Sequence, residues 1–157
     1  MLRAIALSLV LLSSPALAAS AAVTDAKADL KQAKADVRDF RKGERLWDAG
    51  YEHDSDKKLT KGEEKIDAWA KEARKRLRSS GVDTDAAAKE KDPSAREQLA
   101  LLLEQLADQG KKPDADAKQG ALAKKDQLLD QVADLLDKRV EIQDARLKKA
   151  KLAAKGR

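Results

Sequence analysis

Between Glu52 and Glu63 the chain gathers hard oxygen donors at short spacing: Glu52, Asp54 and Asp56 alternate along the backbone and Glu63 closes the stretch. Carboxylates grouped in this way between two helical segments suit Ca2+, a hard cation that prefers oxygen ligands. Lys57, Lys58 and Lys61 lie in the same stretch, and the only histidine, His53, sits near its start. The same residues also read as a solvated interhelical turn followed by a capping box, in which Thr60 and Glu63 satisfy orphan backbone N–H groups at a helix start. Catalytic chemistry has little foothold elsewhere. The sequence has no cysteine, which excludes a thiol nucleophile, thiolate metal sites and a cysteine-linked lipid anchor. Serine is scarce and forms no Ser/His arrangement, no glycine-rich phosphate loop occurs, and Asp and Glu are mostly interleaved with Lys as on solvated helix faces. No catalytic activity is expected.

Taken as one unit, Glu52 to Glu63 resembles the calcium loop of EF-hand proteins, with acids at the first, third and fifth positions, Leu59 at the eighth and Glu63 at the twelfth. The resemblance implies Glu52, Asp54, Asp56, the backbone carbonyl of Lys58, Thr60 and Glu63 as ligands of a Ca2+ cofactor. Lys57 stands where that loop carries glycine, and Glu52 where it usually carries aspartate. A second resemblance overlaps the first. Leu59-Thr60-Lys61-Gly62-Glu63, ahead of an amphipathic helix, is similar to the Leu-Thr-x-x-Gln motif of Spy-type periplasmic chaperones, with Glu63 in the place of Gln. It implies a small, exported, all-helical protein that cradles unfolded clients.

The elements that must position these residues are helices. Ala26, Leu30, Ala33, Val37, Phe40 and Trp47 recur at three- and four-residue steps, predicting a first helix from an N-cap at Thr24 to about Ala49, stopped by Gly50. Gly43 sits inside it, where it should weaken the helix by about 1 kcal/mol relative to alanine. A second helix is expected from Thr60, with Ile66, Trp69, Ala70, Ala73 and Leu77 on one face and a stop at Ser79-Ser80-Gly81. Val82 to Asp92 reads as a linker. Asp92-Pro93 should open a third helix, whose apolar face carries Leu99, Leu102, Leu103 and Leu106. After a turn at Gly110–Pro113, a long fourth helix is expected from about Asp114 to Ala154. Leu122, Leu129 and Leu136, and next to them Leu128, Leu135 and Ile142, repeat every seven residues, widened by Val132, Val140 and Leu147. Sevenfold spacing predicts a coiled-coil-like seam. All four aromatics (Phe40, Trp47, Tyr51 and Trp69) fall in the hairpin that the first two helices make, as core or as a binding face.

The expectation is therefore an all-α chain of two helical hairpins, an elongated bundle or coiled-coil-like assembly. Residues 19–79 form the first hairpin, 80–92 a linker and 93–157 the second hairpin with a basic tail. Residues 1–18 read as a signal peptide, with Arg3 ahead of the apolar run Ala4–Leu12, Pro15 as a breaker and Ala16-Leu17-Ala18 as a cleavage signal before Ala19. The address expected is periplasmic or secreted, with no transmembrane span. Lys plus Arg (33) and Asp plus Glu (28) nearly cancel, giving a net charge of +5. The charges are unevenly placed: after Asp144 there is no acid, whereas Arg146, Lys148, Lys149, Lys151, Lys155 and Arg157 follow. This tail suits a helix C-terminus, and it also suits an anionic envelope surface. The function expected is that of a soluble interaction or structural protein of the cell envelope. Its partners are another protein or a second copy held through the helix stripes, and not nucleic acid.

Overall fold

A computed structural model describes residues 15–109 and 118–156. These residues are all α, with no strand among them: α1 (Pro15–Glu52), α2 (Asp56–Ser79), α3 (Thr84–Lys89), α4 (Ala95–Asp108) and α5 (Lys118–Lys155). Residues 1–14 of the expected signal peptide, the Gly110–Pro113 turn, the expected helix start at Asp114 and Arg157 lie outside the described residues. Among the described residues no helix is long and apolar enough to cross a membrane.

The helix ends differ from the sequence expectation for identifiable reasons. Thr24 is not an N-cap; it lies within α1, where its hydroxyl donates to the Ser20 carbonyl at 3.0 Å. Gly50 does not stop α1 either. The turn that ends α1 is closed by Asp54, whose φ of 51° lets the Ser55 N–H reach back to the Gly50 carbonyl at 2.9 Å. Aspartate tolerates this left-handed conformation better than most residues, so a helix stop formed without glycine. The connection shrinks to His53–Ser55, and Ser55 caps α2 by accepting from the Lys58 N–H at 3.4 Å. Thr60 is consequently inside α2 and no capping box forms there. The expected stop of α2 is observed: Gly81 (φ 92°) allows the Val82 N–H to bond the Leu77 carbonyl at 3.1 Å.

The expected linker at 80–92 contains a helix, α3, so the described residues hold one helix more than the four expected. Asp83 caps α3 by accepting from the N–H groups of Asp85 (3.0 Å) and Ala86 (3.4 Å), and Ala87 is buried. Alanine buries little area, so the apolar pattern gave no sign of this helix. α4 is capped by Ser94 rather than Asp92. The Glu97 N–H donates to the Ser94 hydroxyl at 3.3 Å, and that hydroxyl donates to the Glu97 carboxylate at 2.9 Å.

The chain divides into two compact units. One runs from Ala35 to Arg139 and holds the main core: Phe40 and Trp47 of α1, Ile66 and Trp69 of α2, Leu99 and Leu103 of α4, and Leu129, Val132 and Leu136 of α5. Phe40 meets Trp69 edge-on, with ring centroids 5.2 Å apart. Arg74 of α2 donates to the Leu103 carbonyl of α4 at 3.2 Å. Both expected hairpins thus contribute to one core, and most of the sevenfold leucine stripe is consumed inside it. The other unit combines, of the described residues, 15–34 with 140–156, around buried Ala26, Leu30 and Leu147.

Three glycines set how closely α1 approaches α2. A Cβ added at Gly62 would lie 2.5 Å from the Trp47 backbone nitrogen and 2.8 Å from the Gly43 carbonyl oxygen. One added at Gly50 would lie 2.5 Å from the Leu59 backbone nitrogen. One added at Gly43 would meet Ile66 at 2.6 Å. These residues therefore do more than weaken a helix. Gly62→Ala should lower stability by about 1–3 kcal/mol through backbone overpacking, despite the better helix propensity of alanine. Gly120→Ala, which meets nothing within 4 Å, should raise stability by up to about 1 kcal/mol. Urea denaturation of the two variants checks the contrast.

Candidate functional site

The residues expected to bind calcium are divided between the end of α1, the short connection after it and the first turns of α2. Glu52 ends α1, Asp54 is in the short connection, and Asp56, Lys58, Thr60 and Glu63 belong to α2. The carbonyl of Lys58 lies within a helix, where carbonyls point along the axis toward the fourth N–H on. Glu63 is turned to another task, pairing with Lys125 of α5. Among the described residues no three His, Asp or Glu side chains are placed to hold a metal ion. In the chaperone-like motif, Leu59 and Gly62 are buried against α1, so these residues have a packing role.

The structure instead assembles two buried polar junctions in the larger unit. At the first, Asp36 of α1 is 1% exposed. Its carboxylate accepts from the Trp69 indole N–H (3.1 Å) and from Arg76 Nη1 (3.1 Å), both on α2, and Arg139 of α5 stands 3.6 Å away. At the second, the Trp47 indole N–H of α1 donates to Asp126 of α5 at 3.0 Å. Lys125 lies 5.4 Å from the centre of the Trp47 ring while pairing with Glu63 of α2. Each junction joins α1, α2 and α5. In both, a tryptophan buries its ring in the core and reaches an aspartate on another helix, the usual way to satisfy an indole N–H out of water. Of the aromatics, Phe40, Trp47 and Trp69 are core, and Tyr51 is 44% exposed.

Beside the second junction two acid ladders run at four-residue steps: Glu44, Asp48 and Glu52 on α1, and Asp126, Asp130 and Asp134 on α5. The Glu44 carboxyl is pushed up from 4.5 to about 7, by burial first and then by the charges of Asp48, Asp130 and Asp137, which outweigh Arg41. Burial and then Asp126, Asp130 and Glu52 raise Asp48. Burial, Asp126 and Asp134 raise Asp130. The four-residue spacing of acids on each helix was present in the sequence, but nothing there said that the two rows would face each other.

A groove between α4 and α5 is the candidate interaction surface. It encloses about 470 Å3 and is lined by Gln98, Leu101, Leu102 and Gln105 of α4 and by Gln131, Asp134, Leu135 and Lys138 of α5. Each set follows i, i+3, i+4, i+7, a single helix face. The floor is leucine and the rim is amide and charge, a composition that suits a protein helix better than a small reactive ligand. Comparison with protein-family models, curated proteins and solved structures finds no match to this chain.

Removing one partner of a buried charge cluster leaves the others poorly solvated, so Asp36→Ala should cost about 3–5 kcal/mol in urea denaturation. Asp137→Ala, which removes the exposed pair with Arg41, should cost less than about 1 kcal/mol. Between about pH 4.5 and 7 the folded protein holds a proton on Glu44 that the unfolded chain has released, so this group's contribution to stability falls as pH rises through that window. Glu44→Gln should therefore raise the melting temperature relative to the parent by more at about pH 8 than at about pH 5. An equal shift at both values would contradict the assignment.

Proposed function

We propose that this chain is an exported, soluble helical protein of the cell envelope, without catalytic activity, that works by pairing helix faces, and that the α4–α5 groove receives a second copy of the same chain. The observation that carries this reading is the groove's self-complementary lining. The α4 face, Gln98-Leu101-Leu102-Gln105, reads the same in both directions. A two-fold axis through it sets Leu101 against Leu102 of the second copy and amide against amide. On α5, Asp134 and Lys138 are one helical turn apart and opposite in charge, so reversing one copy brings acid toward base. A two-fold contact requires this reciprocity, in which residue i meets j and j meets i. The signal-peptide pattern of residues 1–18 supports the address.

The experiment is secretion of the full precursor in a two-membrane bacterium, followed by intact-mass measurement and light scattering of the envelope-fraction protein. The reading predicts a subunit beginning at Ala19 and a particle of two subunits. Leu101→Asp with Leu102→Asp should return the particle to a monomer with unchanged helicity. A monomer at all micromolar concentrations, or a dimer indifferent to this pair of substitutions, overturns the pairing. A chain retained in the cytoplasm with its first residues intact overturns the address.

A further inference from the structure

The last part of α5 carries an outward face that the core does not use. Leu152 is 71% exposed and Ile142 is 44% exposed; among the described residues the other large apolar side chains left in water are Leu17 and Tyr51. Ile142, Ala145, Lys149 and Leu152 fall at i, i+3, i+7 and i+10, so they share one side of the helix, away from buried Leu147. Lys148 and Lys155 flank that side, and both are exposed. Lys148 also makes a solvent-exposed pair with Asp144 at 3.0 Å, and Arg146 pairs with Asp29. No acid follows Asp144 in the sequence, so the charges from Ala145 on are all positive, with exposed Glu141 beside Ile142 at the start of the face.

Two features together select the partner. A purely basic face would suit any polyanion, but exposed Leu152 and Ile142 interleaved with lysines also need an apolar phase beneath the charge. An anionic bilayer surface supplies both, phosphates at the level of the ammonium groups and acyl chains a few ångströms deeper. We infer that this face of α5 lies along an anionic phospholipid surface, with Ile142 and Leu152 dipping into the interface and Lys148, Lys149 and Lys155 on lipid phosphates. The inference rests on the envelope address proposed above, which brings the chain to such a surface, and it does not need the second copy in the α4–α5 groove.

The test uses the chain from Ala19 on, the exported form under that reading, so that the apolar run Ala4–Leu12 cannot itself partition. It is sedimented with vesicles of equal parts phosphatidylglycerol and phosphatidylcholine, with vesicles of phosphatidylcholine alone, and assayed against soluble polyphosphate. Because the sequence has no cysteine, a single Leu152→Cys carries an environment-sensitive fluorophore. Expected are binding to the anionic vesicles and a blue shift of the fluorophore on them. Lys149→Gln and Lys155→Gln should each weaken partition by about fivefold. Ile142→Gln with Leu152→Gln should weaken it by about tenfold with helicity unchanged. Equal binding to both vesicles, no binding to either, or binding to polyphosphate and vesicles without a fluorophore shift overturns the inference. A monomer that binds anionic vesicles refutes the copy-to-copy pairing and leaves this inference standing, and a dimer that ignores them does the reverse.

Discussion

Burial of the Asp36 carboxylate is the constraint on which the larger unit depends. A carboxylate taken out of water without partners is unfavourable by several kcal/mol, and that penalty is offset only if the donors arrive with good geometry. Here Trp69 and Arg76 come from α2 and Arg139 from α5, so the carboxylate is compatible only with an arrangement in which three helices stand in one register. The apolar seams alone are less exacting. Leucine and alanine stripes on amphipathic helices pack almost as well after a shift of one turn. A shift of one turn at the Asp36 junction leaves a charge stranded.

The same logic runs along the helices in a second form. At Gly43, Gly50 and Gly62 the α1 and α2 backbones come closer than any side chain would allow. Close approach increases dispersion contact in a chain that has few large apolar residues, and it brings Trp47 and Glu63 to the Lys125–Asp126 pair. Register and distance are thus fixed by different residues, the aspartates and the glycines, while leucines are the most numerous side chains of the core. The facing acids around Glu44 oppose this packing, because burial and like charge both disfavour the ionised form.

The helical class and the core faces were legible from periodicity. The apolar stripes of α1, α2 and α4, and the sevenfold leucines of α5, are where the core lies. The helix ends were less legible because the stop after α1 is made by Asp54 in a left-handed conformation and not by the nearest glycine, Gly50. Reading Gly50 as a stop lengthens the loop after it, whereas α1 continues to Glu52 and α2 begins at Asp56. Buried Asp36 was invisible for a different reason. One aspartate at a stripe's edge looks the same in sequence whether it faces water or a tryptophan on a helix that is distant along the chain. α3 escaped because alanine and a cap, without any large apolar residue, are enough for one short helix.

The leucine seam of α5 is largely spent on the chain's own core, so the proposed contacts use the α4–α5 groove and the outward face near the end of α5 instead. The groove depends on a rigid register beneath it, which the Asp36 junction supplies within the larger unit. The most direct measurement is a double-mutant cycle in urea between Asp36→Asn and Arg76→Met. The account predicts a coupling energy of about 1–3 kcal/mol between the two positions. Additivity within about 0.5 kcal/mol would contradict it.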